Sequence, residues 1–353
     1  MVLGDMTYLA GSQLTVTVRS VTGTEFADSQ DWRAVEAETT RAHYGVSHAW
    51  LTSWIRAYSP ARLLMVRATA PDGTVVGIGL LESRRIGCWH FAGGFITPHA
   101  RFLCTSGAEE DVWRAWSGWL GDNAARWTSL EAAGLVHDAS SMPGAKLTQV
   151  PEFALPLPAS FDAYLVERRP VVRKAFKQKL RRLARVGGEV RLVEAGRRHE
   201  VLERFVALHA LRAEKKGEHH PHIDWRLAAM LASLPPDGGV DLRVLELVVD
   251  EEIVGVTVRL DHRETAYFYN AGFNPAHSTI GPGICLELAS IEDAISRRMA
   301  VFDLGPGEWR YKRDLGGERR DAYRAVLTSS SPTRKAVRLA GRITSRVRPI
   351  IAA

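Results

Sequence analysis

Apolar residues alternate or cluster in two stretches that read as strand, turn, strand: RLLMVRATAPDGTVVGIGLLESRR over residues 62–85 and RVLELVVDEEIVGVTVRLDHR over residues 243–263. An acidic turn breaks each, Asp72-Gly73 in the first and Asp250-Glu251 in the second, as a hairpin requires. An aromatic strand with a Gly-Phe pair follows both, WHFAGGF and then TAYFYNAGF. The spacing marks the two as copies. Val76, Gly77, Gly94, Phe95 and His99 precede Val254, Gly255, Gly272, Phe273 and His277 by one constant offset. The pattern predicts a duplicated α/β domain, each copy a mainly antiparallel sheet flanked by helices.

After the histidine the copies diverge: the first continues ARFLCTS, the second STIGPGICLEL. Ile284, Leu286, Leu288, Ile291 and Ile295 partly follow helical spacing, so a helix is expected over residues 284–298, directly after Gly281-Pro282-Gly283. Upstream, Val172, Phe176, Leu180 and Leu183 form an apolar stripe on a basic helix over residues 171–185. Ser160 is a fitting N-cap for FDAYLVERR. Strands are expected at 189–193, 300–304 and 322–328, and a helix at 201–216. The Pro-rich stretch at 140–158 separates an N-terminal domain (1–145) from a C-terminal domain (155–328), with a basic tail at 329–353.

A length of 353 residues suits two domains, and 46% hydrophobic residues suit a folded chain. No apolar run approaches the roughly 18 residues needed to cross a bilayer, which argues against integral membrane insertion. The opening MVLGDMTYLAGSQ lacks a signal-peptide pattern, and the three cysteines form no CxxC pair, so a reducing, cytoplasmic location is expected. The net charge of +6 suits an anionic partner. Oligomeric state is left open.

The charge is concentrated. From Arg168 to Arg185 half of the residues are Arg or Lys, and Arg173, Lys174, Lys177, Arg181 and Arg185 are expected to face outward. Unrelieved cations repel one another unless an anion lies opposite, although a solvated face is the ordinary alternative. The tail SPTRKAVRLAGRITSRVRPIIAA adds six cations and no acid.

A glycine loop between a strand and a helix can aim backbone N–H groups at an anion at the positive end of the helix dipole. It can also be only a tight turn. Ser278, Thr279, Gly281, Gly283 and Ile284 are the residues expected at such a cradle. Tyr269 and Asn270 end the strand before it, and alternation lets only one of them face a cleft. Asp303, in VFDLG, either orients a reacting group or takes its proton, or else turns the chain before Gly305. His277 is a candidate base, with a structural role as the alternative because His99 matches it. His222 and Trp225 are read as the wall of an acceptor pocket, because the proline in EHHPH prevents one helical face and no further ligand suits zinc. No metal is expected.

The order strand, Ser278-x-x-Gly281-x-Gly283, helix resembles the acyl-CoA pyrophosphate loop of the GNAT acyltransferase superfamily, Q/R-x-x-G-x-G/A. Ser278 departs from the usual glutamine or arginine, and Pro282 removes an amide donor. LPASFDAYL, the arginine-rich helix, YNAGFNPAH, the loop and FDLGPGEWRYKRDLGG together resemble the CelD-type and Fem-type double-GNAT proteins, over residues 155–328 well and 30–135 loosely. Lys312 matches the lysine of the family's F-K-x-x-F-G-like signature, while Tyr311 and Leu315 replace its phenylalanines. The resemblance implies an acyltransferase in which one unit is active. Fem-type members form an amide from aminoacyl-tRNA, and others are expected to use acyl-CoA; Lys312 would sit at a substrate phosphate or near the reacting carbonyl.

Acyl transfer needs a proton acceptor, oxyanion donors and positioning, with no covalent intermediate required. Three readings follow: amide formation from aminoacyl-tRNA, which the two basic segments favour slightly; acyl-CoA-dependent N-acyl transfer; and a non-catalytic module that binds nucleic acid or a membrane surface. The acceptor is expected to be a small-molecule or peptide amine.

Overall fold

The computed structural model describes residues 7–9, 13–40, 43–85, 87–135 and 144–332. Apart from residues 329–332, the basic tail lies outside the described residues. Two compact units divide the chain: Met1–Val150 with Asp321–Ala353, and Pro151–Arg320.

Unit 1 contains β1 (Thr7–Leu9), β2 (Thr15–Val21), α1 (Gly23–Ala27), α2 (Gln30–Glu38), α3 (His48–Tyr58), β3 (Leu63–Thr69), β4 (Val75–Arg85), β5 (Cys88–Phe91), β6 (Leu103–Cys104), α4 (Glu109–Asp122) and β7 (Ser129–Leu135). Then come β8 (Lys146–Pro156), α5 (Phe161–Glu167), α6 (Pro170–Arg185), β9 (Glu189–Leu192), α7 (Arg198–Lys216), α8 (Trp225–Ala232), β10 (Val240–Val249), β11 (Glu252–His262), β12 (Thr265–Phe273), α9 (Pro282–Ser296), β13 (Val301–Pro306), α10 (Arg310–Asp314) and β14 (Glu318–Thr328). The sheet of unit 1 runs β1-β2-β3-β4-β5-β7-β14, and that of unit 2 runs β8-β13-β12-β11-β10-β9. Only β5–β7 and β12–β13 pair in parallel; every other described pair is antiparallel. Each unit is thus a mixed, mainly antiparallel sheet flanked by helices.

The two hairpins lie where the alternation puts them, β3–β4 and β10–β11. Their turns differ in chemistry. Gly73 supplies the left-handed residue of the first (φ 89°), whereas Asp250 and Glu251 both take positive φ (49° and 65°), the pair a two-residue hairpin turn demands. The repeated glycines Gly77 and Gly255 serve one purpose: a Cβ on either would press on the helix that follows its own third strand, at Val112 of α4 and at Leu286 of α9.

Beneath these helices the cores diverge. In unit 1, Trp89, Phe91, Phe102, Trp113, Trp116 and Trp119 pack together, with Trp116 and Trp119 stacked at 4.8 Å. Each such buried large side chain contributes roughly 1.5–3 kcal/mol. In unit 2, Phe153, Tyr164, Phe176, Leu288, Ile291 and Phe302 build one cluster beside a second around Leu183, Leu247 and Leu286. The stripe Val172, Phe176 and Leu183 of α6 is buried, with Leu180 packed beside it.

One strand joins the other unit. Residues 322–328 are read from sequence as the end of the C-terminal domain, yet from Asp321 onward β14 groups with unit 1 and pairs with β7, Tyr323 opposite Leu135 and Thr328 opposite Ser129. Among the described residues no helix is long and apolar enough to cross a membrane.

Candidate active site

β12 and β13 share only three register pairs, Thr265–Val301, Ala266–Phe302 and Tyr267–Asp303. Beyond them β12 continues to Phe273 with its β13-facing edge unpaired. The pairing with β11 slips in the same stretch, from Val258–Asn270 to Arg259–Phe268, and leaves Tyr269 as the extra residue of a bulge. The strands therefore part, and the gap is where polar side chains collect. Tyr269 and Asn270 are half-buried at its rim, the Asn270 Oδ1 accepting from the Ala271 amide at 2.8 Å.

The loop from Asn274 to Gly281 closes over this end. Gly281 caps α9 with φ 71°, and Pro282 takes the first helical position, where its missing N–H is no loss because that donor would have no partner inside the helix. The positive φ favours glycine, and a Cβ there would push aside the Lys179 ammonium of α6. Arg182 of α6 donates to the Thr279 carbonyl at 3.3 Å. Two cations of the basic helix thus stand at the positive end of α9. A Cβ at Gly283 would come within 3.2 Å of the Phe273 ring. Ser278 and Thr279 are exposed, Ile284 half-buried, and the half-buried His277 ends a short 3-10 turn whose carbonyl accepts from Ile280.

Below the loop lies a buried polar cluster. Lys312 is 2% exposed, and its ammonium donates to the carbonyls of Gly305 at 2.9 Å and Pro306 at 2.5 Å. Burial pulls its pKa down to about 8 against the pull of Asp303, Glu287 and Glu152. Glu287, one turn into α9 beyond Gly283, is 4% exposed, and its Oε2 is buried with no hydrogen-bond partner. Burial raises its pKa to about 8, opposed by the charges of Lys312 and Arg212. Arg212, from α7, reaches the parted edge of β12, donates to the Ala271 carbonyl at 2.7 Å and lies over the Phe273 ring at 5.5 Å. Tyr311 is half-buried beside the unit 2 core, its phenol held protonated by burial and by Glu287. Asp303 accepts from the Gly305 amide at 2.7 Å and pairs with Arg320. Its Oδ1 holds the turn that presents the Gly305 and Pro306 carbonyls to Lys312, and its Oδ2 ties that turn to β14.

The remaining sequence candidates lie apart. Trp225 opens α8 at 68% exposure, with Arg226 beside its ring. His222 stands 5.9 Å from His220, which in turn stands 5.1 Å from His209. Burial depresses the His209 pKa to about 3 and also lowers that of His222. Among the described residues no group of three or more His, Cys, Asp or Glu could hold a metal. Along α6, Lys174, Lys177, Arg181 and Arg185 are exposed; Arg173 is half-buried and donates to the Val166 carbonyl.

The sequence reading misses Glu287, Arg212, Lys179 and Arg182. Glu287 carries a signal, since it stands on the apolar face of α9 between Ile284 and Ile291, where a carboxylate is out of place.

Residues 171–313 match the model of a family described as "Acetyltransferase (GNAT) domain". This region is similar to a GNAT acetyltransferase domain over 143 of the 353 residues, and it marks the chain as an acyltransferase. The fold is similar to the crystal structure of FemX (TM-score 0.63, 10% identity, covering 91% of this chain and 99% of that one). It is also similar to the C-terminal domain of a putative lysylphosphatidylglycerol synthetase from Agrobacterium fabrum (0.57, 12%, 94% and 100%). A tandem GNAT protein from the clavulanic acid biosynthesis pathway follows the same fold (0.52, 14%, 90% and 99%). No curated protein matches the chain in sequence.

Proposed function

We propose that this acyltransferase forms an amide by moving an aminoacyl group from aminoacyl-tRNA to the amine of a small molecule or peptide, with the chemistry in unit 2. The observation that carries the reading is the meeting of α6 with the glycine loop. Lys179 and Arg182 stand at the loop, and Lys174, Lys177, Arg181 and Arg185 continue along the same helix as one exposed ridge at i, i+3 and i+4 spacing, roughly 24 Å long over the whole helix. A coenzyme's few phosphates need the loop alone; a phosphate track needs the ridge as well. Arg212 already takes the Ala271 carbonyl on the parted edge of β12, the edge to which an extended pantetheine arm would otherwise bond.

Within this reading Ser278, Thr279, Gly281, Gly283 and Ile284 receive the donor's anionic group. Lys312 spends two of its three N–H donors on backbone carbonyls and turns the third toward the oxyanion or a phosphate. Tyr269, Asn270 and Tyr311 line the gap. His222 and Trp225 stand on the acceptor side.

Acyl-CoA as donor is the second reading, favoured by Gly281 and Gly283 at the α9 N-terminus beside Lys179. The two separate cleanly. With ATP, amino acids, synthetases and tRNA, amide formation is expected and should vanish with ribonuclease; amide formed from acyl-CoA alone and indifferent to ribonuclease would replace the first reading by the second.

A further inference from the structure

A carboxyl group buried without a hydrogen-bond partner destabilises a fold, so its presence calls for a reason. Glu287 presents such an oxygen in its Oε2, and it stands one turn into α9 beyond the glycine loop. The groups around it come from three other elements: Lys312 and Tyr311 of α10, Arg212 of α7 and Tyr164 of α5. None of them donates a hydrogen bond to its Oε2. Unit 1 shows that the architecture does not need a carboxylate there. The helix residue that covers the repeated glycine is Val112 in α4 and Leu286 in α9, and the residue after it is the buried Trp113 in one unit and Glu287 in the other.

We propose that Glu287 receives the proton of the acceptor amine during acyl transfer, an inference that rests on the acyl-transfer reading of unit 2. The amine nitrogen forms its bond to the donor carbonyl carbon as its proton passes to Glu287 Oε2. The carbon's bond to the ester oxygen or thioester sulfur then breaks, and the proton returns from Glu287 to that leaving atom. No proton is gained or lost overall. A carboxyl whose pKa lies near working pH suits this exchange in both directions, and burial supplies that match here.

The test uses the whole chain with acetyl-CoA or total aminoacyl-tRNA as donor and hydroxylamine, an amine already neutral at pH 7, as acceptor; hydroxamate is measured above the uncatalysed background. Glu287→Gln is expected to fold, to keep the donor KM, and to lose about 10²- to 10⁴-fold in kcat. The wild-type rate is expected to rise with pH through a midpoint near 8, and Glu287→Gln to lack this limb; loss of the Lys312 charge would act in the opposite direction. Should Glu287→Gln not fold, the wild-type profile decides alone, since a limb seen with a neutral acceptor belongs to the protein. A folded Glu287→Gln with full turnover, or a wild-type profile without the rising limb, overturns the proposal and leaves the acyltransferase reading intact. Wild-type protein inert toward both donors overturns the reading itself and the proposal with it.

Discussion

Units 1 and 2 build the same hairpin, third strand, helix and parallel strand, yet they treat the helix N-terminus in opposite ways. In unit 1, α4 opens with Glu109, Glu110 and Asp111, and the Glu109 carboxylate itself accepts from the Gly107 amide of the preceding loop at 3.1 Å. The positive end of that helix is already neutralised from within. In unit 2, α9 opens with Gly281-Pro282-Gly283, carries no acid in its first turn, and has Lys179 and Arg182 beside it. Below the helix, unit 1 packs tryptophan where unit 2 keeps Glu287, and β5 ends at Phe91 while β12 runs past its parallel partner. One unit fills this place with apolar packing, the other with a buried polar cluster.

The comparison can be broken most severely at Lys312. Replacing it with methionine leaves the buried carbonyls of Gly305 and Pro306 without their donor, so stability should fall by roughly 1–3 kcal/mol, while turnover should fall about 10²- to 10³-fold, the usual loss of an oxyanion donor; a thermal melt and a kcat measurement check the two parts. Gly272→Ala should destabilise by roughly 1–3 kcal/mol, because its Cβ would lie 2.6 Å from the His209 backbone nitrogen on α7. Denaturant unfolding measures it. A paired substitution sharpens the contrast: Gly281→Ala and Gly73→Ala both strain a left-handed residue by about 1–2 kcal/mol, but only Gly281→Ala displaces Lys179 and should raise the donor KM about tenfold. Substituting Lys174, Lys177 and Arg181 together by alanine should lower the slope of log binding constant against log salt for bulk tRNA by about 2–3. Smallest is a pH effect. The folded pKa of Glu287 lies above its unfolded value, so the folded state holds the proton longer and stability falls as pH rises between about 4.5 and 8. The stability advantage of Glu287→Gln over wild type should widen across that window and level off above it.

The sequence makes the repeat, the glycine loop, the basic helix and Lys312 legible because each rests on local pattern. Helix boundaries follow equally well: residues 171–185 and 284–298 are expected, and Pro170–Arg185 and Pro282–Ser296 are found. Three things escape such reading. β14 pairs with a strand far away in sequence, and nothing in its own residues names that partner. Lys179 sits beside the core residue Leu180, so a reading by faces gives it no distinct task; only the packing of α6 on α9 brings its ammonium to Gly281. Arg212 is one basic residue among several on α7, and its bond to Ala271 spans the fold. Glu287 stood in plain view as the one acid on an apolar face, where the habit of reading such a stripe as core conceals it.

The central claim is that an anionic donor docks at the start of α9 and leaves the matching start of α4 untouched. Amide hydrogen exchange of the whole chain with and without aminoacyl-tRNA tests it most directly. Slowed exchange across residues 279–285, with residues 105–112 unchanged, is the predicted result; protection at 105–112 and none at 279–285 would contradict it.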